Sequence, residues 1–359
     1  HDLSVSVEHF LTHKPGLPKH CEVCMRAKTK RKRKLSGKVP RDTTGFGNIV
    51  TCDHVLMKDS FKRPGVGGYP DMFNMLDLDT RCKYSDPVHF MDTLDTFTSV
   101  NTIRGNDKIK TLYSDNYPSI KKAARAAGIM WEPSLPGVSQ TNAIIERCNL
   151  DILQGTRSIL AQAGLPACFW PYAAPCYCHH ENIADQDDDA AVSSPWVLRH
   201  GERFKGMAIP FGCGVFFLPS PTKYSNDKAA PSMSYGIFLG YRLAPGGRWN
   251  GAYYVADIDD FIAKPLAADA AGTDFRIFPH VTEQVKFGER GICFPLKQKY
   301  DKANMTLAGR EHHYDEFGVA LVGQPSPSCF SSHDLAADQV TDNGKRYRWG
   351  CFHYETNDD

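Results

Sequence analysis

The chain has 359 residues, of which 42% are hydrophobic and 23% are charged, and this ordinary globular composition excludes a wholly disordered protein. No run approaches eighteen apolar residues, so the sequence predicts no membrane span. Twelve cysteines are too dilute for a disulfide scaffold and favour a reduced, intracellular protein. The first residues, His-Asp-Leu-Ser-Val, contain neither an initiator Met nor a signal peptide, so we expect a processed product or an excised fragment.

Charge is distributed unevenly along the chain. Residues 1–41 contain eleven Lys and Arg against three Asp and Glu, a net charge of +8, whereas the whole chain has a net charge of only +1. The basic run Lys28–Lys38, here called the basic arm, cannot bury itself and is predicted to be an exposed segment. A basic arm on an otherwise acidic chain indicates a polyanionic partner at this end.

Residues 42–183 have the alternating strand and helix pattern of a compact α/β domain. The predicted strands are Asn48–Leu56, Met72–Leu78, Val88–Met91 and Lys108–Ser114. The predicted helices are Asp92–Ile103, Pro118–Gly128, Thr141–Ala163 and Ala167–Asn182. A Pro/Gly/Ser loop, Pro133–Gln140, precedes the longest of these helices.

The second half of the chain has a different pattern. Residues 184–209 are predicted to form an acidic linker, and residues 210–299 a small β-rich domain of short strands divided by Gly and Pro turns. Its predicted strands are Gly214–Pro219, Gly236–Tyr241, Gly251–Ala256 and Phe275–Val281. Residues 300–359 show no clear period and are treated as a tail of unclear structure.

Two pairs of metal-binding residue types lie near the N-terminus: His9 and His13, then Cys21 and Cys24. Two imidazoles and two thiolates are the ligands that tetrahedral Zn²⁺ requires, and Cys-x2-Cys forms a tight chelating turn. His20 could replace either histidine, and the alternative is a pair of surface histidines beside two chance cysteines. We predict a zinc-binding segment here, because residues 1–41 are too few to fold unaided.

Three acids form a second candidate site. Asp53 lies inside an apolar strand, Asp115 ends a strand, and Glu146 lies in the first turns of the long helix. A strand aspartate among apolar residues is costly unless it is paired or coordinates a cation. Carboxylates held on rigid elements are the ligands of paired divalent ions in phosphoryl transfer. Each acid taken alone is more often a surface or capping residue.

Several segments resemble the integrases of retroelements. The run Ser134–Asn149 resembles the Pro/Gly loop and the Gln-x-Asn-Gly-x-x-Glu-Arg motif around their catalytic glutamate, although Asn142 is followed here by Ala143 rather than Gly. Leu112–Asn116 and Thr51–His54 resemble the strands that supply the two catalytic aspartates. The His/His/Cys/Cys cluster resembles the zinc-binding head of copia-type integrases, although its seven-residue spacer is short. Downstream segments extend the resemblance, in collinear order, over about residues 9–256.

The resemblance implies a ribonuclease H-like mixed sheet with flanking helices, preceded by a small zinc-binding segment and followed by a small β domain. It assigns Asp53, Asp115 and Glu146 as the catalytic residues and as ligands of Mg²⁺ or Mn²⁺. It also assigns His9, His13, Cys21 and Cys24 as zinc ligands. The implied reaction is metal-dependent 3′-end processing and strand transfer of element DNA into target DNA, by a polynucleotidyl transferase cut from a longer polyprotein.

The implied partners are double-stranded DNA, at element ends and target, and further copies of the chain. The basic arm would contact DNA phosphates through Lys and Arg side chains, and a nuclear-import signal is compatible with the same residues. These residues are Lys28, Lys30, Arg31, Lys32, Arg33 and Lys34. Residence in the nucleus after synthesis in the cytoplasm follows. The alternatives are a catalytically inactive, host-recruited DNA-binding protein descended from a retroelement, and a transposase or nuclease on the same fold.

Overall fold

The structure is a computed structural model, and it describes residues 44–134, 143–184, 193–219, 229, 231–289 and 291–304. The predicted zinc-binding segment, the basic arm and residues 305–359 lie outside the described residues. No helix in the described ranges is both long and apolar enough to cross a bilayer.

The first sheet is mixed and has five strands. They are β1 (Ile49–Leu56), β2 (Asp71–Asp77), β3 (Lys83–Val88), β4 (Thr111–Ser114) and β5 (Met130–Pro133). The spatial order is β3-β2-β1-β4-β5, with β1, β2 and β3 antiparallel and with β4 and β5 parallel to β1. The predicted mixed α/β sheet with flanking helices is therefore confirmed.

Helices cover both faces of this sheet. The helices of the described residues are α1 (Thr93–Arg104), α2 (Pro118–Ala126), α3 (Ala143–Ala163), α4 (Trp170–Ile183), α5 (Pro195–His200) and α6 (Lys297–Ala303). Val100 of α1 and Ile120 of α2 pack with Phe73 in one core cluster. Ile145 of α3 packs with Met72 in the other. Adjacent strand residues such as Met72 and Phe73 thus serve opposite faces, as the two-residue period of a strand requires.

Most predicted elements of this half form close to their predicted bounds, and two strands differ. The third strand is Lys83–Val88 rather than Val88–Met91. It can include Pro87 because it is an edge strand, where a missing backbone N–H costs little. The prediction omitted β5, a four-residue edge strand whose only sheet partner is β4.

A second sheet of five antiparallel strands follows. They are β6 (Gly214–Phe217), β7 (Ser234–Ala244), β8 (Arg248–Asp257), β9 (His280–Thr282) and β10 (Val285–Lys286), in the order β10-β6-β7-β8-β9. The predicted strand Phe275–Val281 is extended only from His280, because Gly272–Asp274 forms a 3₁₀ turn and Pro279 precedes the first paired residue. Phe275 and Ile277 are nevertheless buried and fill the core from a loop.

One hydrophobic core joins the two sheets. Helix α4 packs against β3 on one side and β7 on the other. The core cluster that contains Ile145 and Trp170 also contains Phe217 and Phe238 of the second sheet. The described residues accordingly belong to one compact unit. The finer division at residues 183 and 210 stays a prediction.

The predicted linker 184–209 contains helix α5, which is anchored to the first half by Arg199. This guanidinium is stacked 3.6 Å from the ring centroid of Phe46 and donates to the backbone oxygen of Ile103 at 2.8 Å and to Asp107 at 3.0 Å. It also donates to the hydroxyl of Tyr84. The arginine side chain is fully buried, so α5 is firmly attached to the strands and helices that precede it.

Candidate active site

Asp53 lies in the middle of β1, and Asp115 directly follows the last residue of the neighbouring parallel strand β4. In the β1–β4 register Thr51 is opposite Tyr113, so the two aspartates each follow that pair by two residues. Equivalent positions on adjacent strands are about 5 Å apart along the sheet. The register therefore brings together two acids that are 62 positions apart in the sequence.

Asp53 is partly buried and accepts hydrogen bonds on both of its carboxylate oxygens. The backbone N–H of His54 donates to Oδ1 at 2.9 Å, and Nδ2 of Asn149 donates to Oδ2 at 2.9 Å. Burial raises the pKa of Asp53 to about 6, and the charges of Asp115 and Glu146 add to the rise, while the two hydrogen bonds oppose it. The pKa shift thus reflects an acidic site in which like charges are held near one another.

Asp115 follows β4 and begins the turn into α2. Burial raises the pKa of its carboxyl, and the backbone N–H of Tyr117 lowers it. Its Oδ1 is buried and has no hydrogen-bond partner within the described part of the chain. A buried carboxylate oxygen without a partner is costly and is typical of a position that binds a cation or substrate group.

Glu146 lies in the first turn of α3 and is solvent-exposed. Its charge makes a small contribution to the raised pKa of Asp53. Asn149 follows three residues later on the same helix face and is buried. Sequence reasoning missed Asn149, although an amide three residues after a candidate acid on a helix is a detectable signal.

The opposite face of β1 carries His54, which points toward α1. Its Nε2 lies 3.1 Å from the hydroxyl oxygen of Thr96, and its ring packs 5.0 Å from Phe73. Burial lowers the pKa of His54 to about 4, so the imidazole is neutral at physiological pH. The residue next to Asp53 therefore contributes no positive charge that would compensate the acids.

The donor set of the three acids suits a hard divalent cation, because carboxylate oxygens are the ligands that Mg²⁺ and Mn²⁺ prefer. Among the described residues no three His, Cys, Asp or Glu side chains are already clustered tightly enough to hold a metal ion. The unpartnered Oδ1 of Asp115 and the pKa of Asp53, raised first by burial and then by the charge of Asp115, nevertheless fit a bound cation.

The remaining predicted site residues cannot be placed. The zinc ligands His9, His13, Cys21 and Cys24 and the DNA-binding residues of the basic arm lie outside the described residues. The Cys-Tyr-Cys-His-His run on α4 contributes Cys176, Cys178 and His179 to the hydrophobic interior. His179 packs 4.2 Å from the ring centroid of Tyr241, as expected for a core residue.

Comparison with known proteins identifies relatives among retrotransposon polyproteins. The chain is 32% identical over 141 residues to the retrovirus-related Pol polyprotein from transposon TNT 1-94 of Nicotiana tabacum, a match of 37% of this chain and 10% of the relative. It is 23% identical over 247 residues to the retrovirus-related Pol polyprotein from transposon RE2 of Arabidopsis thaliana, a match of 67% of this chain and 16% of the relative. No protein-family model matches the chain.

The chain is similar to retrotransposon Pol polyproteins, and the resemblance predicted from its motifs is confirmed. The matches span only 10% and 16% of the lengths of these relatives. Solved structures with a similar chain course include a simian T-cell lymphotropic virus intasome in complex with a PP2A regulatory subunit, with 13% identity and a TM-score of 0.40 over 76% of this chain and 88% of the other. The catalytic core domain of BIV integrase matches with 12% identity and a TM-score of 0.31, over 42% of this chain and 91% of the other.

Proposed function

We propose that this chain is the integrase region of a copia-like retrotransposon polyprotein. It would catalyse metal-dependent 3′-end processing and strand transfer of element DNA into target DNA. The observation that supports the proposal is the strand register, which puts Asp53 and Asp115 at equivalent positions of neighbouring parallel strands, and the charge of Glu146 adds to the raised pKa of Asp53. The similarity to retrotransposon Pol polyproteins supports the same assignment.

In this proposal Asp53 and Asp115 would hold a divalent cation, and Glu146 would supply a further carboxylate for a second one. Mg²⁺ or Mn²⁺, when bound, supplies Lewis-acid stabilisation of the phosphodiester and lowers the pKa of an attacking water or 3′-hydroxyl. Asn149 holds Oδ2 of Asp53 and so fixes the direction of the carboxylate. The exposed position of Glu146 leaves the site open for a DNA strand to approach.

The parts outside the described residues have roles in the same proposal. His9, His13, Cys21 and Cys24 bind Zn²⁺ and give residues 1–41 a folded centre. The basic arm contacts phosphates of double-stranded DNA without sequence preference, so that binding weakens steeply with salt. Assembly of several copies on DNA and action in the nucleus belong to the proposal as well.

A strand-transfer assay with Mg²⁺ or Mn²⁺ separates an active integrase from a catalytically inactive DNA-binding descendant. Asp115→Asn removes one metal-binding charge with little change of shape, and the loss of several kcal/mol of transition-state stabilisation predicts a fall of roughly 100-fold or more. Asp151→Asn, on the same helix as Glu146 but paired with Lys83, is the matched control and should retain activity.

Three outcomes would contradict the proposal. Strand transfer by Asp115→Asn at the rate of the unsubstituted chain would remove the acidic site from the mechanism. Tight DNA binding without strand transfer, at any divalent-ion concentration, would favour the inactive DNA-binding protein. Cleavage of both strands without joining would favour a nuclease on the same fold.

A further inference from the structure

A second buried side-chain amide, that of Asn74, lies next to Asn149 and Asp53. Asn74 lies in the middle of β2, directly opposite Asp53 in the antiparallel register, and its side chain is wholly buried. Its Nδ2 donates to Oδ1 of Asn149 at 2.9 Å, and Nδ2 of Asn149 donates in turn to Oδ2 of Asp53 at 2.9 Å. Asn74 and Asn149 thus form a two-amide relay that ends on the Asp53 carboxylate.

The orientation of the two amides in this relay follows from which of their atoms can donate hydrogen bonds. An ionised carboxylate only accepts hydrogen bonds, so Asn149 must present its Nδ2 to Asp53. Oδ1 of Asn149 then faces Asn74 and needs a donor, which only the Nδ2 of Asn74 supplies. If the donor of Asn74 were removed, Asn149 would be free to turn its oxygen toward the carboxylate, where the two would repel.

Asn74 keeps this orientation at a cost. Within the described residues its Oδ1 is buried and has no hydrogen-bond partner. An interior position of a strand is otherwise suited to an apolar side chain, as its neighbours Phe73 and Met75 show. A buried amide that satisfies Asn149 while leaving its own oxygen unpaired is better explained by the donor it supplies than by packing.

We infer that Asn74 is a positioning residue for divalent-cation binding, which acts through Asn149 on the Asp53 carboxylate. The inference rests on the proposed function, since it assigns the acidic site a cation. Groups that orient metal ligands without touching the metal typically change metal affinity by about 10- to 100-fold when they are removed. Asn74 does not contact the reacting atoms, so its effect should fall on cation affinity and much less on DNA affinity.

The test measures Mn²⁺ binding to the full chain by electron paramagnetic resonance of the free ion, without DNA or turnover. The Mn²⁺ bound by the unsubstituted chain and lost in Asp53→Asn defines the acidic site. Asn74→Leu, which keeps the volume and removes the donor, should weaken this binding by about tenfold. Asn74→Ser, whose hydroxyl is too short to reach Asn149, should weaken it similarly while disturbing the core less.

The matched control is Asn182→Leu, which removes another buried asparagine whose amide bonds only the backbone of Lys83. It should lower the melting temperature and leave Mn²⁺ affinity within about twofold. A double variant, Asn74→Leu with Asn149→Leu, should bind Mn²⁺ no more weakly than Asn149→Leu alone, because Asn74 acts only through Asn149.

Unchanged Mn²⁺ affinity in folded Asn74→Leu or Asn74→Ser would overturn the inference and leave the proposed function standing. Equal weakening by Asn182→Leu, or additive losses in the double variant, would also overturn it, since either result indicates general destabilisation. Absence of any Mn²⁺ binding that depends on Asp53 would instead refute the cation site of the proposed function, and the relay with it.

Discussion

The carboxyl of Asp53 is held in its ionised form against two unfavourable influences. Burial raises its pKa to about 6, and the charges of Asp115 and Glu146 add to this, while the hydrogen bonds from His54 and Asn149 only partly compensate. An acid whose pKa is higher in the folded chain than in the unfolded chain destabilises the folded state when it is ionised. A cation site requires Asp53 to be ionised, whereas the metal-free folded chain is more stable when Asp53 is protonated.

The raised pKa of Asp53 predicts that the stability of the metal-free chain depends on pH. The contribution of Asp53 to stability is fully present below pH about 4 and is lost as the pH rises through 6, because the folded state binds its proton more tightly. The rise in the pKa of Asp53 on folding corresponds to a change of at most about 3 kcal/mol in the free energy of unfolding. Urea unfolding at pH 4.5 and 7.5 should show a smaller decline in Asp53→Asn than in the unsubstituted chain, and parallel pH profiles would contradict the assignment.

The sequence drew attention to the three acids of the proposed site but not to the two amides that hold the carboxylate of Asp53. An aspartate inside an apolar strand, an aspartate at a strand end and a glutamate on a long helix are visible as isolated anomalies, and the resemblance joined them. Asn74 and Asn149 are meaningful only once the β1–β2 register and the rotation of α3 are known. Their roles depend on contacts across 75 positions, which no local pattern contains.

At the level of elements, the outer edge of β3 is closed by a side chain. Oδ1 of Asn182 accepts from the backbone N–H of Lys83 at 2.9 Å, and its Nδ2 donates to the backbone oxygen of Lys83 at 2.8 Å. The amide thus imitates a neighbouring strand at an edge that would otherwise offer unpaired backbone groups. The ammonium of Lys83 reinforces the contact by pairing with Asp151 and Glu181 on α3 and α4.

Asn182→Ala should therefore destabilise the chain by about 2–4 kcal/mol, because it leaves a backbone donor and an acceptor without partners at about 1–3 kcal/mol for each. The measurement is the free energy of unfolding in urea. Asn106→Ala, which replaces an exposed asparagine in a turn, is the control and should change stability by less than about 0.5 kcal/mol. Equal effects of the two substitutions would show that the amide bridge contributes nothing.

Long periodic elements were predictable and short edge elements were not. Helix α3 carries enough apolar residues on one face for its period to identify it, and β1 is a continuous run of strand-forming residues. Strands β5 and β10 have four and two residues, and they are extended because a neighbouring strand offers hydrogen bonds. Pairing with a neighbouring strand determines such short strands, so the β-propensity of their own residues predicts them poorly.

At the scale of the molecule, the two sheets depend on one another through α3 and α4. The ring of Phe169, just before α4, packs 4.8 Å from the ring of Phe275 and 5.8 Å from that of Phe261. Both of these residues follow β8 in the sequence. Gly212 approaches the end of α3 so closely that a Cβ there would lie 2.1 Å from the Cβ of Ala163. Contacts this close indicate that the described residues of the second sheet share a hydrophobic interior with α3 and α4.

A fragment of residues 44–209 should consequently fail to fold cooperatively. It keeps the acidic site but leaves Phe169, Trp170 and their neighbours without the second-sheet residues that bury them, including Phe217 and Phe238. Burying each large apolar side chain is worth about 1.5–3 kcal/mol, so losing several exceeds a typical total stability of about 5–15 kcal/mol. The fragment should bind a hydrophobic dye and lack near-ultraviolet circular dichroism, whereas residues 44–304, which keep the whole described core, should unfold in one sharp transition. A sharp transition in the shorter fragment would instead establish that residues 44–209 are an independent domain, to which the second sheet is only attached.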